Sequence, residues 1–150
     1  MSDCIFCKIV AGEIPSVKIW EDDNFVAILD VFPNTRGMTL VLPKHHFGSD
    51  VFDLDESLYT QYLLTVKKVQ GFLKKGLGVH RVCMVMEGMG VDHAHIKLYP
   101  LHGLDKDWKE YWAKDEVFFD QYAGYISTQL GPRADIGELQ KLADEIKQVI

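Results

Sequence analysis

A chain of 150 residues that is 47% hydrophobic and 25% charged has the makeup of one globular domain. A domain of that size buries roughly two-thirds of the surface its unfolded chain exposes, so it needs neither disulfides nor a metal to fold. The net charge of -6 argues against nucleic acid as a partner, since that binding needs a concentrated basic patch. The odd count of three cysteines, behind an acidic start with no apolar leader, argues against a secreted disulfide scaffold. No run approaches the ~20 apolar residues of a membrane span, and a soluble cytoplasmic protein is expected.

In chain order, Val17 to Glu21 reads as a strand, Asp22-Asp23-Asn24 as a turn, and Phe25 to Val31 as the second arm of an antiparallel hairpin. A loop at Pro33 to Gly37 leads to a third strand, Met38 to Leu42, closed by Pro43. Asp55 is an N-cap for a long helix whose apolar face is Leu58, Tyr59, Tyr62, Leu63, Val66, Val69 and Phe72. Lys74 and Lys75 followed by Gly76 form its stop. His80 to Glu87 and His93 to Tyr99 read as two more strands around the tight loop Gly88-Met89-Gly90. Short helical pieces are expected at Asp105 to Lys114 and Glu116 to Tyr122, and a final helix after Asp135. The pattern is α+β with an antiparallel sheet, as one domain over 1–150 with its core at about 4–100 and a tail at about 101–150.

The chemistry concentrates in His93-Ala-His95-Ile-Lys97. Strand side chains alternate between faces, which places two imidazoles and an ammonium on one face and Ala94, Ile96 and Leu98 on the other. Histidine near neutral pH serves as nucleophile, acid-base group or ligand, and a neighbouring lysine supplies a cation for phosphoryl oxygens. The plain alternative is a strand with a wet polar face. His45 and His46, at the end of the third strand, and the pair Cys4 and Cys7 favour a functional cluster. Cys-x-x-Cys has metal-ligand spacing but needs two further ligands. A redox pair would follow a strand in a βαβ unit, whereas this one precedes every strand. Two buried cysteines acting as small hydrophobes are the remaining reading, which also serves for Cys83.

These segments resemble the histidine triad family of nucleotide hydrolases and transferases. The resemblance is carried by Cys4-Ile-Phe-Cys7, Ala11-Gly-Glu-Ile-Pro15, Glu21-Asp-Asp23, Leu29-Asp30, Leu40-Val-Leu-Pro-Lys44 with His46, and His93-Ala-His95. It implies a sheet meander with one long helix and C-terminal helices, and a homodimer that joins two sheets into one. It implies a nucleotide-linked substrate cleaved at its α-phosphate, with His95 as nucleophile, His93 and Lys97 beside it, and a covalent nucleotidyl-histidine. Substrates of that description include dinucleoside polyphosphates, nucleoside phosphoramidates and adenylated amines. Asp30 would bind ribose and backbone at Gly88 and Gly90 would cradle phosphate, with Phe6, Ile9, Ile28 and Leu29 either around the base or simply core. His46 and His93 would complete a structural zinc site with Cys4 and Cys7, and no organic cofactor is implied.

Three positions depart from the family pattern: Lys97 replaces the third histidine, Met89 and Gly90 replace polar loop residues, and Met86 stands in the place of an asparagine. Lysine is a weaker proton donor near neutral pH, its ordinary pKa being about 10.4. Two rival readings stay open on that account, a nucleotidyltransferase using the same intermediate and a nucleotide-binding protein without turnover.

Overall fold

The computed structural model describes residues 3–107, 109–110, 112 and 114–121. The chain divides into two units, Met1–Trp108 and Lys109–Ile150, and the first carries all the elements below. They are α1 (Ile5–Val10), β1 (Lys18–Glu21), β2 (Phe25–Leu29), β3 (Thr39–Pro43), a short 3-10 turn (Val51–Asp53), α2 (Glu56–Leu77), β4 (Val82–Val85) and β5 (Ile96–Pro100). The strands form one antiparallel sheet in the order β1-β2-β3-β5-β4. β5, the strand that follows the histidines, is therefore internal, while β4 is an edge.

Alternation along the strands gives the sheet two apolar faces. Phe25, Ala27, Val41, Ile96 and Leu98 join Tyr62, Val66, Val69 and Leu73 of α2 in one core. Val26, Ile28, Leu40 and Leu42 join Phe6 and Ile9 of α1 in a second. Thus α2 covers one face and α1 the other, and the odd-numbered residues of β5 lie on the α1 side.

Helix α2 begins where Asp55 accepts hydrogen bonds from the Ser57 and Leu58 N–H groups, satisfying donors no earlier turn can use. It ends at Gly78, whose φ of 65° suits the left-handed cap that glycine takes without strain. The stop expected at Gly76 therefore falls inside the helix: Gly76 precedes Leu77, which still packs on the core. Phe72 is a second correction, since it is exposed and Leu73 is buried in its stead. The Tyr62 hydroxyl, wholly buried, donates to the Val41 carbonyl and ties helix to sheet. Burial pushes that phenol far above its ordinary range.

Other expectations are corrected at the edges. Helix α1 is new, a six-residue helix with no side-chain cap. Cys83 is exposed on β4, which has no strand on its outer side among the described residues. Residues 105–107, 109–110, 112 and 114–121 contain no helix, against the two helical pieces expected there, and the final helix after Asp135 lies outside the described residues. Among the described residues no helix is long and apolar enough to cross a membrane.

Candidate functional site

His93, Ala94 and His95 precede β5 instead of lying in it. The expected alternation nonetheless holds: Ala94 joins the α2-side core, while the rings of His93 and His95 both meet Phe6 of α1 edge-on, at 5.8 and 5.4 Å between centroids. Both imidazoles are buried, which the reading of a half-exposed polar face did not anticipate.

Each ring is held by a backbone carbonyl. His93 Nε2 lies 2.9 Å from the Pro43 carbonyl oxygen. The carbonyl accepts only, so Nε2 carries the proton and Nδ1 keeps its lone pair. Burial, the largest cause, holds the His93 pKa below the ordinary histidine value, and His46 and His95 nearby add to the effect. His95 has the opposite tautomer. Its Nδ1 lies 2.9 Å from the His93 carbonyl, which fixes the proton on Nδ1 and leaves Nε2 as a bare lone pair.

The lone pair of His93 points at sulfur. Nδ1 stands 3.5 Å from Cys4 Sγ and 3.6 Å from Cys7 Sγ, and His46 Nδ1 stands 3.5 Å from Cys7 Sγ. The ligand atoms of all four residues lie within 4.8 Å of one another. A tetrahedral zinc ion about 2.3 Å from sulfur and about 2.1 Å from nitrogen separates such atoms by about 3.6 Å, so donor set and spacing both fit zinc. The two cysteines come from the start and first turn of α1, His46 from the segment after β3, and His93 from the approach to β5. A shallow open pocket beside them is lined by Asp3, Cys4, His46, Val91 and Asp92, and does not include His95.

Nε2 of His95 has a carboxylate in its neighbourhood. Glu87 Oε1 lies 4.0 Å from Nε2 and forms an ion pair with Lys97. The Glu87 side chain is only 7% exposed, and its Oε2 is buried without a hydrogen-bond partner among the described residues. Glu87 was not singled out from the sequence, yet the strand register contains it. β4 and β5 pair Val82 with Pro100 and Val85 with Lys97, so the same register continued past Val85 sets Glu87 opposite His95. Tyr99, next along this face, is also new. Burial raises its phenol, Lys97 opposes the shift, and Glu87 and Asp30 add to it.

Asp30 follows β2, half-buried, and one carboxylate oxygen accepts the Phe32 N–H at 2.8 Å. Gly88 and Gly90 both have positive φ, 65° and 85°. At Gly88 a Cβ would stand 2.7 Å from the Ser49 carbonyl oxygen, so the loop requires glycine there for space as well as conformation. Phe6, Ile9 and Ile28 are core residues, whereas Leu29 is half-buried. His45 is exposed, with its ring against Phe47, and exposed His102 donates to the Arg36 carbonyl.

A family model described as HIT domain matches residues 11–103. The chain is 35% identical over 115 residues to Protein hit of Bacillus subtilis, covering 73% of this chain and 79% of that one. It is 36% identical over 118 residues to an adenosine 5'-monophosphoramidase of Schizosaccharomyces pombe, covering 72% and 84%. The fold is similar to the crystal structure of a HIT family member from Bacillus subtilis, with a TM-score of 0.70, 28% identity and 99% and 98% of the two chains covered. It is also similar to a zinc-bound histidine triad family protein from Mycobacterium smegmatis, with a TM-score of 0.61, 32% identity and 69% and 78% covered.

Proposed function

The chain belongs to the HIT domain, or histidine triad, family, and from that premise we propose that it is a nucleotide hydrolase acting at the α-phosphate of a nucleotide-linked substrate through a covalent nucleotidyl-His95. The observation that carries this reading is the tautomer of His95. Its Nδ1–H is tied to the His93 carbonyl, so Nε2 carries the lone pair a nucleophile needs without any proton having to leave first. Burial strips water from that nitrogen, and Phe6 fixes its ring.

In the first step the Nε2 lone pair attacks phosphorus and the bond to the leaving group breaks. In the second, water attacks the same phosphorus, the phosphorus–nitrogen bond breaks, and the lone pair returns to Nε2. Lys97 holds the phosphoryl oxygens, opposing the charge that builds on them. N–H groups of the Gly88 to Gly90 loop cradle phosphate, and Asp30 accepts from the ribose hydroxyls. The phosphoramidase relative in fission yeast makes a nucleoside phosphoramidate the first substrate to try. The reading includes a homodimer and a cytoplasmic location.

Zinc at Cys4, Cys7, His46 and His93 belongs to the same proposal. Two thiolates and two imidazoles fill a tetrahedral site and leave no open position, so zinc there is structural. It would fix α1, and with it Phe6, against the histidines. His93, its Nδ1 engaged and its Nε2–H on Pro43, positions His95 through its backbone carbonyl and takes no part in proton transfer.

The test is intact-protein mass after mixing with adenosine 5'-phosphoramidate and quenching in alkali, which preserves a phosphorus–histidine bond. Wild type should gain an adenylyl group that His95→Ala does not, and should release AMP. Neither adduct nor AMP over long incubation would sink the hydrolase reading in favour of a nucleotide-binding protein. Transfer to an added amine or phosphate in preference to water would establish the transferase.

A further inference from the structure

We infer that Glu87 is the proton carrier of the reaction, giving a proton to the leaving group in the first step and taking one from water in the second. The inference rests on the reading of His95 as nucleophile. It answers a difficulty that reading creates: cleavage needs a proton at the leaving atom, yet the third histidine is Lys97, and both nitrogens of His93 are engaged by a carbonyl and the zinc ligand set. Among the described residues, the carboxyl group at His95 Nε2 is that of Glu87, 4.0 Å away.

Its placement suits both steps. In an in-line displacement the leaving atom stands across phosphorus from Nε2, two bonds further out, and the attacking water later stands in the same place. One carboxyl group within reach of Nε2 and of that position can therefore serve as acid and then as base. As Lys97 leaves Glu87 for the phosphate the carboxylate takes up a proton from solvent, and the first step breaks the bond from phosphorus to the leaving atom while Glu87 gives that atom this proton. The second breaks the phosphorus–nitrogen bond while the carboxylate takes a proton from the attacking water. The cycle closes with AMP and the protonated leaving group released and His95 free, and Glu87 returns its proton to solvent as Lys97 pairs with the carboxylate again.

The ion pair with Lys97 supplies the switch. A phosphate that draws the ammonium away deprives the carboxyl group of its cation and sets new negative charge beside it. Lys97 then has two successive partners, Glu87 in the free protein and phosphate in the complex.

The measurement is rapid-quench kinetics on the zinc-loaded full chain with two probes: adenosine 5'-phosphoramidate, whose amine must be protonated to leave, and AMP p-nitrophenyl ester, whose phenolate leaves without a proton. Glu87→Gln should give no burst with the first probe. With the second it should release one nitrophenolate per chain and then stall, with the His95 adduct accumulating and breaking down about 100-fold or more slowly than in wild type, in keeping with the worth of general acid–base groups. Glu87→Asp, which keeps the carboxyl group, should restore part of the second step. Lys97→Met should raise KM for both probes without accumulating adduct. Turnover of Glu87→Gln within a few-fold of wild type on both probes would overturn the inference. So would an Asp variant no faster than the Gln variant, or Lys97→Met and Glu87→Gln behaving alike, since a residue that merely holds Lys97 predicts those outcomes. Absence of any adduct in wild type would instead remove the His95 reading beneath it.

Discussion

At the scale of single residues, His46 and His93 would hold the proposed zinc with unequal structural duties. His46 is exposed, and its replacement removes a metal donor at little cost to packing. His93 is wholly buried, and its Nε2–H also satisfies the Pro43 carbonyl. Leaving that acceptor without a partner costs about 1–3 kcal/mol on top of the lost metal. His46→Ala should therefore lower zinc content, from about one ion per chain by elemental analysis, while urea unfolding of the chelated protein stays close to chelated wild type. His93→Ala should lower both. A chelated His93→Ala protein as stable as chelated wild type would mean that the Pro43 contact contributes nothing.

At the scale of elements, α2 and the sheet were legible because their signals are local and repeated. Asp55, the apolar spacing through Val69, the apolar runs of β2 and β3 and the alternation along the histidine strand each name an element without reference to any other. Asp55→Ala removes the acceptor for two N–H groups at the start of α2 and should destabilise the protein by about 1 kcal/mol, seen as a lower urea midpoint at unchanged slope. No change would mean the helix start is held by packing alone. Helix α1 was not legible: it is shorter than the window in which periodicity shows, and no side chain caps it. Cys83 was misread because only strand order reveals that β4 is an edge. Glu87 was missed for a related reason. Its neighbour in space is fixed by the register between β4 and β5, which the sequence states only once both strands are aligned. The histidine and cysteine positions, by contrast, were legible in residue type and family resemblance, and the structure brings all four of the expected metal ligands together.

At the scale of the whole molecule, the two apolar cores differ in what supports them. The α2 core is built by a long helix and the buried residues of three strands, β2, β3 and β5. The α1 core depends on six helical residues, of which Phe6 and Ile9 are buried, and zinc would hold α1 in place. Chelation should accordingly lower the thermal midpoint by several degrees and loosen the N-terminal segment while α2 and its sheet persist. Hydrogen exchange would show this as lost protection at residues 5–10 with protection kept at 62–73. Uniform loss across both regions would mean that the two faces melt as one.

The four residues proposed to hold zinc also have an order in time. Cys4 and Cys7 leave the ribosome before the two histidines, and His93 follows Cys7 by 86 residues. At a synthesis rate of about 5–20 residues per second, that interval is roughly 4–17 seconds. During it the two thiols stand without their last partner, open to oxidants and to competing soft metals such as copper(I). If zinc is held there, the yield of zinc-loaded protein would be set partly by translation speed and by the reducing power around the nascent chain, and slowing synthesis under oxidative stress should raise the fraction of chains cross-linked between Cys4 and Cys7.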